Sequence, residues 1–396
     1  MKKSSDVVQY NIRGLFLGRD YVDKPVYEKS IVSFINVLLK HFKVETKYRF
    51  DEMEDIILPQ IVGKEKIVVI ILDSLGYKKF KELNVEFEKS IKLSSVFPTT
   101  TVAAVTSLLT AMSPQEHGLL GYIQFIREIG SIMNMIDFSY PGLPNSSFET
   151  IVKKKIKRLP NVFQSLKKEG YFGGILTSHD IVNSGLSFLI QKDANIFSYY
   201  STIDMFANLQ KLLESDFKGL LYVYYGVLDG IGHKKGPDSR SYEREAKFLL
   251  EEIKKLKYDK KTQIFVVADH GMITTPREKN VFLGEELLKY LKFPPTGEMR
   301  MMYFYTKEKK DKELIDYLND KYSKRFEIYL SKQLLSEGYF GFGDINPEAE
   351  HRIGDYVLLA KDNYSFTYTY TGGEQKLLGM HGSLTNEELY VPLVFV

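Results

Sequence analysis

The sequence predicts an α/β protein, a doubly wound and mostly parallel sheet flanked by helices, with a small α+β subdomain inserted before the last core strand. Three observations predict it. Continuous apolar runs rich in β-branched and aromatic residues recur at 67–73 (IVVIILD), 220–227 (LLYVYYGV) and 264–268 (IFVVA), the pattern of strands buried on both faces of a parallel sheet. Segments of helical periodicity lie between them, at 101–112, 161–169, 203–216 and 240–256, which gives the alternation of a doubly wound core. From about residue 276 the texture changes to MRMMYFYT, a charged helix KEKKDKELIDYLNDKY, then FEIYL and an expected hairpin RIGDYVLLAKDNYSFTYTY.

Taken in order, residues 27–43 carry Ile31, Phe34, Ile35, Leu38 and Phe42 on one helical face. This helix belongs to an N-terminal helical and irregular segment, 1–60, expected to pack on the core. The first core strand follows a turn at Gly63, and the last is the closing run VPLVFV, 391–396. The expected division is therefore a core of 1–275 plus 365–396 and an insert of 276–364.

Composition narrows the function. A net charge of +3 over 396 residues is nearly neutral, whereas a dedicated nucleic-acid binder carries a strong basic excess. No stable nucleic-acid complex is expected, and the basic cluster Lys153 to Arg158 reads as a solvated helix face. There is no cysteine, which excludes disulfides, thiolate metal sites and cysteine nucleophiles. No apolar stretch follows the basic start Met1–Asp6, and the longest apolar run, Ile67 to Leu72, falls far short of the roughly 20 residues a membrane span needs. A cytoplasmic protein without membrane attachment is expected.

The chemistry gathers at the strand ends. Asp73, Asp229 and Asp269 each stand at or just beyond the carboxyl end of a core strand, the edge where open α/β sheets bind ligands. One such aspartate is an ordinary turn former. Three converging carboxylates repel unless cations lie between them. Histidines accompany them: Asp229-Gly-Ile-Gly-His233 reads as a glycine-rich loop able to wrap an ion, Asp269-His270-Gly271 as paired ligands at a turn, and His381 lies in Gly-Met-His-Gly before the last strand. Oxygen and nitrogen donors of this kind suit Zn²⁺ or Mn²⁺. Phe97-Pro98-Thr99-Thr100-Thr101 precedes an apolar helix. Thr99 or Thr100 is expected as its N-cap, and a hydroxyl there sits where free N–H groups and the helix dipole favour anions.

Five segments, ILDSLGY (71–77), FPTTTVAAVTSLLTAMSPQEHGLLGY (97–122), LDGIGHKKGP (228–237), VVADHGM (266–272) and GMHGS (379–383), together resemble the type I phosphodiesterase/nucleotide pyrophosphatase branch of the alkaline phosphatase superfamily. The resemblance implies an alkaline-phosphatase-like core, a small phosphate-ester or nucleotide substrate and two divalent metal ions, most simply Zn²⁺, with Mn²⁺ an alternative. One ion would be held by Asp229, His233 and His381, the other by Asp73, Asp269 and His270. Thr101, third after the proline as in the family's P-T-x-T motif, would be the nucleophile, bridging toward the second ion and forming a phospho-threonine intermediate. Two ions roughly 4 Å apart stabilise both attacking and leaving oxygens of an in-line displacement.

One position departs from the family pattern. The family's phosphoryl-holding asparagine is replaced by tyrosine, since the stretch reads His117-Gly-Leu-Leu-Gly-Tyr122. Tyr122 is therefore the candidate substrate-binding residue, while His117 is expected to order the loop. The segment 97–122 holds no arginine, which favours monoanionic diesters over dianionic monoesters, with Arg127 or Arg158 left as arginines able to reach the site from outside it. The competing readings are a phosphomonoesterase or phosphonate hydrolase of the same superfamily, and a non-catalytic binding protein that keeps the fold.

Overall fold

The computed structural model of the chain describes residues 24–322, 324–370 and 377–396; the Met1–Asp6 stretch, where no leader is expected, lies outside them. Seven strands form the main sheet in the order Lys89–Ser94, Tyr390–Phe395, Thr262–Val267, Lys66–Leu72, Gly219–Tyr225, Phe172–Ser178, Asn195–Tyr199. All run parallel except Tyr390–Phe395, which is antiparallel to both its neighbours. Lys66–Leu72 lies at the centre with every residue buried, which is why its sequence is continuous rather than alternating. Its register sets Ile71 beside Tyr224 and Val267. The segments leaving these three strands, and with them Asp73, Asp229 and Asp269, therefore emerge at one edge.

Helices cover the sheet where periodicity places them: Thr101–Thr110, Val162–Lys168, Thr202–Glu214 and Arg240–Lys254. Their starts follow side-chain caps. Asn161, Ser201 and Ser239 each accept from a backbone N–H in the first turn, a contribution of about 1 kcal/mol apiece. Ile31–His41 opens with a Ser30/Ser33 capping box and seats Phe34 edge-on against Phe265 of the sheet, ring centroids 5.2 Å apart. No helix among the described residues is long and apolar enough to cross a membrane.

Two features differ from the sequence expectation. The stretch 356–368 is not a hairpin. Tyr356–Ala360 pairs with Met301–Phe304 and Phe326–Leu330, whereas Ser365–Tyr368 pairs in parallel with Asn280–Leu283. The buried Arg300 guanidinium holds the intervening turn open by donating to the carbonyls of Asp362 and Tyr364. In addition, the second, six-stranded sheet crosses the expected boundary at 275/276. Its order is Phe326–Leu330, Tyr356–Ala360, Met301–Phe304, Thr296–Glu298, Ile123–Ile126, Ser131–Asn134. Gly121 permits the junction, because a Cβ there would come within 3.2 Å of Gly297 Cα. The crossing carries Glu298 to the sheet edge where the aspartates converge.

Candidate active site

Thr100 is the N-cap of Thr101–Thr110, but its side chain does not cap the helix. Instead its hydroxyl donates to Glu298 Oε1 at 2.5 Å. Thr99 ties down the loop of His381. Its hydroxyl donates to Ser383 O (2.8 Å) and accepts from Gly382 N–H (3.0 Å), and its carbonyl accepts from His381 Nδ1 (2.9 Å). With both neighbours so engaged, Thr101 Oγ1 faces the carboxylates, 3.2 Å from His270 Nε2 and 3.5 Å from Asp73 Oδ2.

Asp229 and His233 do not sit on a loop. They lie one turn apart on the helix Val227–Lys235, so an i,i+4 spacing on one helix face brings the pair together. Glycine is needed there for close approach rather than for a turn. A Cβ on Gly232 would meet Met272 Sδ at 2.6 Å, and one on Gly379 would strike the Gly232 carbonyl. Gly271 serves the same end after Asp269-His270, since a Cβ there would collide with the carbonyl of Glu387.

The three imidazoles share one orientation. His233 Nδ1 donates to Gly379 O (2.8 Å), His270 Nδ1 to Gly271 O (2.9 Å) and His381 Nδ1 to Thr99 O (2.9 Å). A ring nitrogen that faces a carbonyl must carry the proton, so each Nε2 presents its lone pair inward. The Nε2 atoms of His233 and His381 lie only 3.2 Å apart, where two lone pairs repel unless a cation separates them. The carboxylates tell the same story. Asp73 Oδ1, Asp229 Oδ1 and Asp269 Oδ2 are buried with no hydrogen-bond partner, and unpaired buried acceptors are costly. Burial, with the neighbouring Asp269 and Asp229 charges, pushes Asp73 well above the usual carboxylate range, and burial also raises Asp229. Burial, with the His270 and His233 rings, holds His381 well below the usual imidazole range.

Donor atoms of Asp229, His233 and His381 lie within 4.8 Å of one another, and so do those of Asp73, Asp229 and His270. Asp229 thus belongs to both groups, and Asp269 Oδ2 stands 3.4 Å from His270 Nε2. All six candidate ligands are gathered round Thr101. Their donor set, hard carboxylate oxygens with imidazole nitrogens, fits divalent Zn²⁺ or Mn²⁺.

Residues 68–384 match the type I phosphodiesterase / nucleotide pyrophosphatase family. The chain belongs to that family. Solved structures of like fold include the murine ectonucleotide pyrophosphatase/phosphodiesterase 5 (TM-score 0.61, 18% identity, 83% of this chain and 87% of that one). An inactive threonine-to-alanine variant of that murine protein, in complex with AMP, aligns with TM-score 0.61 and 16% identity over 83% and 87% of the two chains. Phosphonoacetate hydrolase from Sinorhizobium meliloti in complex with phosphonoformate gives 0.56 and 16% over 84% and 89%. At these identities the likeness is one of fold. No curated protein sequence matches the chain. As a phosphodiesterase/nucleotide pyrophosphatase family member, the chain is a hydrolytic enzyme.

Around the family core this member carries its own residues. Tyr122 lines the cavity above Thr101; its hydroxyl accepts from Asn134 Nδ2 (2.8 Å), and burial pushes the phenol up to about 12. His117 lies apart, buried between Ser107 Oγ (3.1 Å) and the Leu119 N–H (3.0 Å), and burial holds its imidazole down near 3. Arg127 is engaged by Glu348 and His351, and Arg158 stacks 3.9 Å over the Phe188 ring. Neither lines the cavity, where Lys234 is the only lysine or arginine among the described residues.

Two further groups at the site carry no sequence signal. Tyr224 donates a short hydrogen bond to Asp73 Oδ2; it is hidden inside an apolar strand run. Glu298 accepts from Thr100 Oγ1 and from the Tyr122 N–H (2.7 Å); it arrives from a three-residue strand with no periodic signal. Burial raises the Glu298 carboxyl to about 7. Since that folded value exceeds the unfolded one, Glu298 favours the folded state below about pH 4.5, and this contribution is lost as pH rises to 7. Glu298→Gln, which keeps the acceptor oxygen, should flatten the stability profile of chelated protein over that window. The wild type should lose roughly 3 kcal/mol relative to the variant. Parallel denaturant titrations with unchanged separation between the two proteins would refute it.

Proposed function

We propose that the chain hydrolyses phosphodiester or nucleotide pyrophosphate bonds through a phospho-threonine on Thr101, at a site holding two divalent metal ions. The observation that carries the reading is the set of three unpaired carboxylate oxygens and three inward-facing Nε2 atoms around one hydroxyl. The inactive threonine-to-alanine variant of the murine relative supports the same role for a threonine here. Asp229, His233 and His381 would hold one ion; Asp73, Asp269 and His270 the other, with Asp229 close to both. Bound there, divalent cations supply Lewis-acid stabilisation of the phosphoryl and leaving oxygens.

The protein's own groups do the rest. The helix start at Thr101 offers uncapped backbone N–H groups to a phosphoryl oxygen. Tyr224 holds Asp73, and the Thr99 carbonyl holds His381. The Thr101 Oγ–phosphorus bond forms as the phosphorus–oxygen bond to the departing alcohol breaks. The departing alkoxide takes up the proton that Thr101 Oγ1 gave up; water then attacks phosphorus, the Oγ–phosphorus bond breaks, and a proton from that water restores the hydroxyl. One ester and one water become one alcohol and one phosphate monoester.

The absence of arginine from the described cavity lining favours a monoanionic diester over a dianionic monoester. Bis-p-nitrophenyl phosphate should therefore be cleaved faster than p-nitrophenyl phosphate, and the reverse order would overturn the diester assignment. Chelation should abolish cleavage, with Zn²⁺ or Mn²⁺ restoring it. At a hundredfold excess over Kd each returned ion should add about 2.7 kcal/mol to unfolding free energy. Chelated protein as active and as stable as metal-loaded protein would refute the metal site.

A further inference from the structure

Glu298 sets a carboxylate where an anionic substrate must come. The strand Thr296–Glu298 of the second sheet brings it in, and three contacts fix its place beside Thr101. Its Oε1 accepts from Thr100, the residue before the nucleophile, and from the Tyr122 N–H. Its stem lies against the His381 loop, since a Cβ on Gly382 would meet Glu298 Cβ at 2.6 Å. Glu298 lines the cavity together with Thr100, Thr101 and Tyr122. Its second oxygen, Oε2, accepts no hydrogen bond from a described residue and is not among the buried unpartnered oxygens, so it opens on the cavity. No lysine or arginine among the described residues pairs with it. Asp180 and Lys234, the other charged groups of the lining outside the candidate ligands, are both exposed, where water and salt screen them.

An unpaired carboxylate in an anion site discriminates when it costs an unwanted substrate more than the right one. A phosphomonoester carries a second charged oxygen where a diester carries a neutral ester oxygen. We infer that Glu298 is a specificity-determining residue, whose free Oε2 repels the second charge of a monoester and so reserves Thr101 for diesters. The inference rests on the diesterase reading and assigns the preference to one side chain. A unit charge about 6 Å from another, at an effective dielectric constant of about 20, shifts a rate constant about a hundredfold. Salt screening lowers this, and about tenfold is the least expected.

The test uses the full chain loaded with Zn²⁺ and a pair sharing one leaving group, p-nitrophenyl phosphate and methyl p-nitrophenyl phosphate. Burial raises the Glu298 carboxyl to about 7, so assays at about pH 8.5 keep it ionised. Glu298→Gln keeps an acceptor for Thr100 and Tyr122 but removes the charge. It should raise the monoester-to-diester ratio of kcat/KM at least about tenfold. Glu298→Ala should move the ratio the same way, whereas Glu298→Asp, which keeps the charge, should hold it near the wild-type value. Calorimetric titration supplies a readout without turnover. Both neutral variants should bind phenylphosphonate, a dianion, about tenfold more tightly relative to its monomethyl ester.

Ratios unmoved in the neutral variants overturn the inference, while a wild-type preference for the diester would still uphold the diesterase reading. A shift in Glu298→Gln that is absent from Glu298→Ala would come from the new amide, and it overturns the inference as well. Wild-type preference for the monoester, rising further in both neutral variants, sinks the diesterase reading but leaves the repulsion by Glu298 standing. If neither ester is cleaved, that reading fails and the phosphonate titrations decide the inference alone.

Discussion

Thr101→Ala is expected to lower kcat for bis-p-nitrophenyl phosphate by about three orders of magnitude or more while leaving KM within a few-fold. On the proposed mechanism the hydroxyl contributes only when phosphorus is attacked, so its removal would strike the transition state rather than ground-state binding. Its neighbours show why little else should change. Thr101 Oγ1 lies at 3.2 Å from His270 Nε2 and 3.5 Å from Asp73 Oδ2, long contacts whose loss costs on the order of 1 kcal/mol. The six candidate ligands keep their own supports, so the variant should still bind metal with the wild-type stoichiometry. Residual turnover would come from water activated at the same ions. Thr101→Ser, which restores the hydroxyl, should recover most of the lost rate. Wild-type turnover by the alanine variant at full metal loading would remove Thr101 as nucleophile; loss of metal together with activity would assign it a ligand role instead.

What the sequence disclosed about this site, and what it concealed, has a physical basis. Asp73 and Asp269 were legible because each ends a strand buried on both faces, where an unbroken apolar run stops abruptly at a carboxylate. Asp229 and His233 were legible as a pair but not as a helix, because glycine is a poor helix former and Gly232 is there to pack against Met272 and Gly379. The strand Phe172–Ser178 went unread for a related reason. Gly173 and Gly174 dilute its β-propensity, yet a Cβ on Gly173 would come within 3.2 Å of Phe163 Cα. Its neighbour Asn195–Tyr199, an edge strand, is half exposed and lacks the apolar run of a central one. Glu298 depends on pairing between strands more than 170 residues apart, Gly297 with Ile123, and no local pattern encodes such a contact.

Arg300→Met is expected to lower the unfolding free energy by about 3–5 kcal/mol, the cost of stranding a buried charge. Arg300 and Glu388 are both fully buried, and the guanidinium grips the carboxylate through Nε and Nη2, each at 2.9 Å. Its remaining donors hold the Asp362 and Tyr364 carbonyls. Glu388 in turn accepts from Ser383 N–H (3.0 Å) and Thr385 Oγ1 (2.6 Å). The pair thus joins the second sheet to the loop that carries His381, two residues before Ser383. Breaking it should therefore weaken metal affinity as well as the fold. Arg300→Met with Glu388→Leu removes both charges and should recover part of the stability, because a buried pair contributes less than its disruption costs. It should not recover metal affinity, since replacing Glu388 takes the acceptor from Ser383 N–H and Thr385 Oγ1. Denaturant unfolding of the three variants, with zinc titration alongside, separates the two effects. A single substitution costing under about 1 kcal/mol would mean that water relieves the stranded charge and that the pair is not the clamp described.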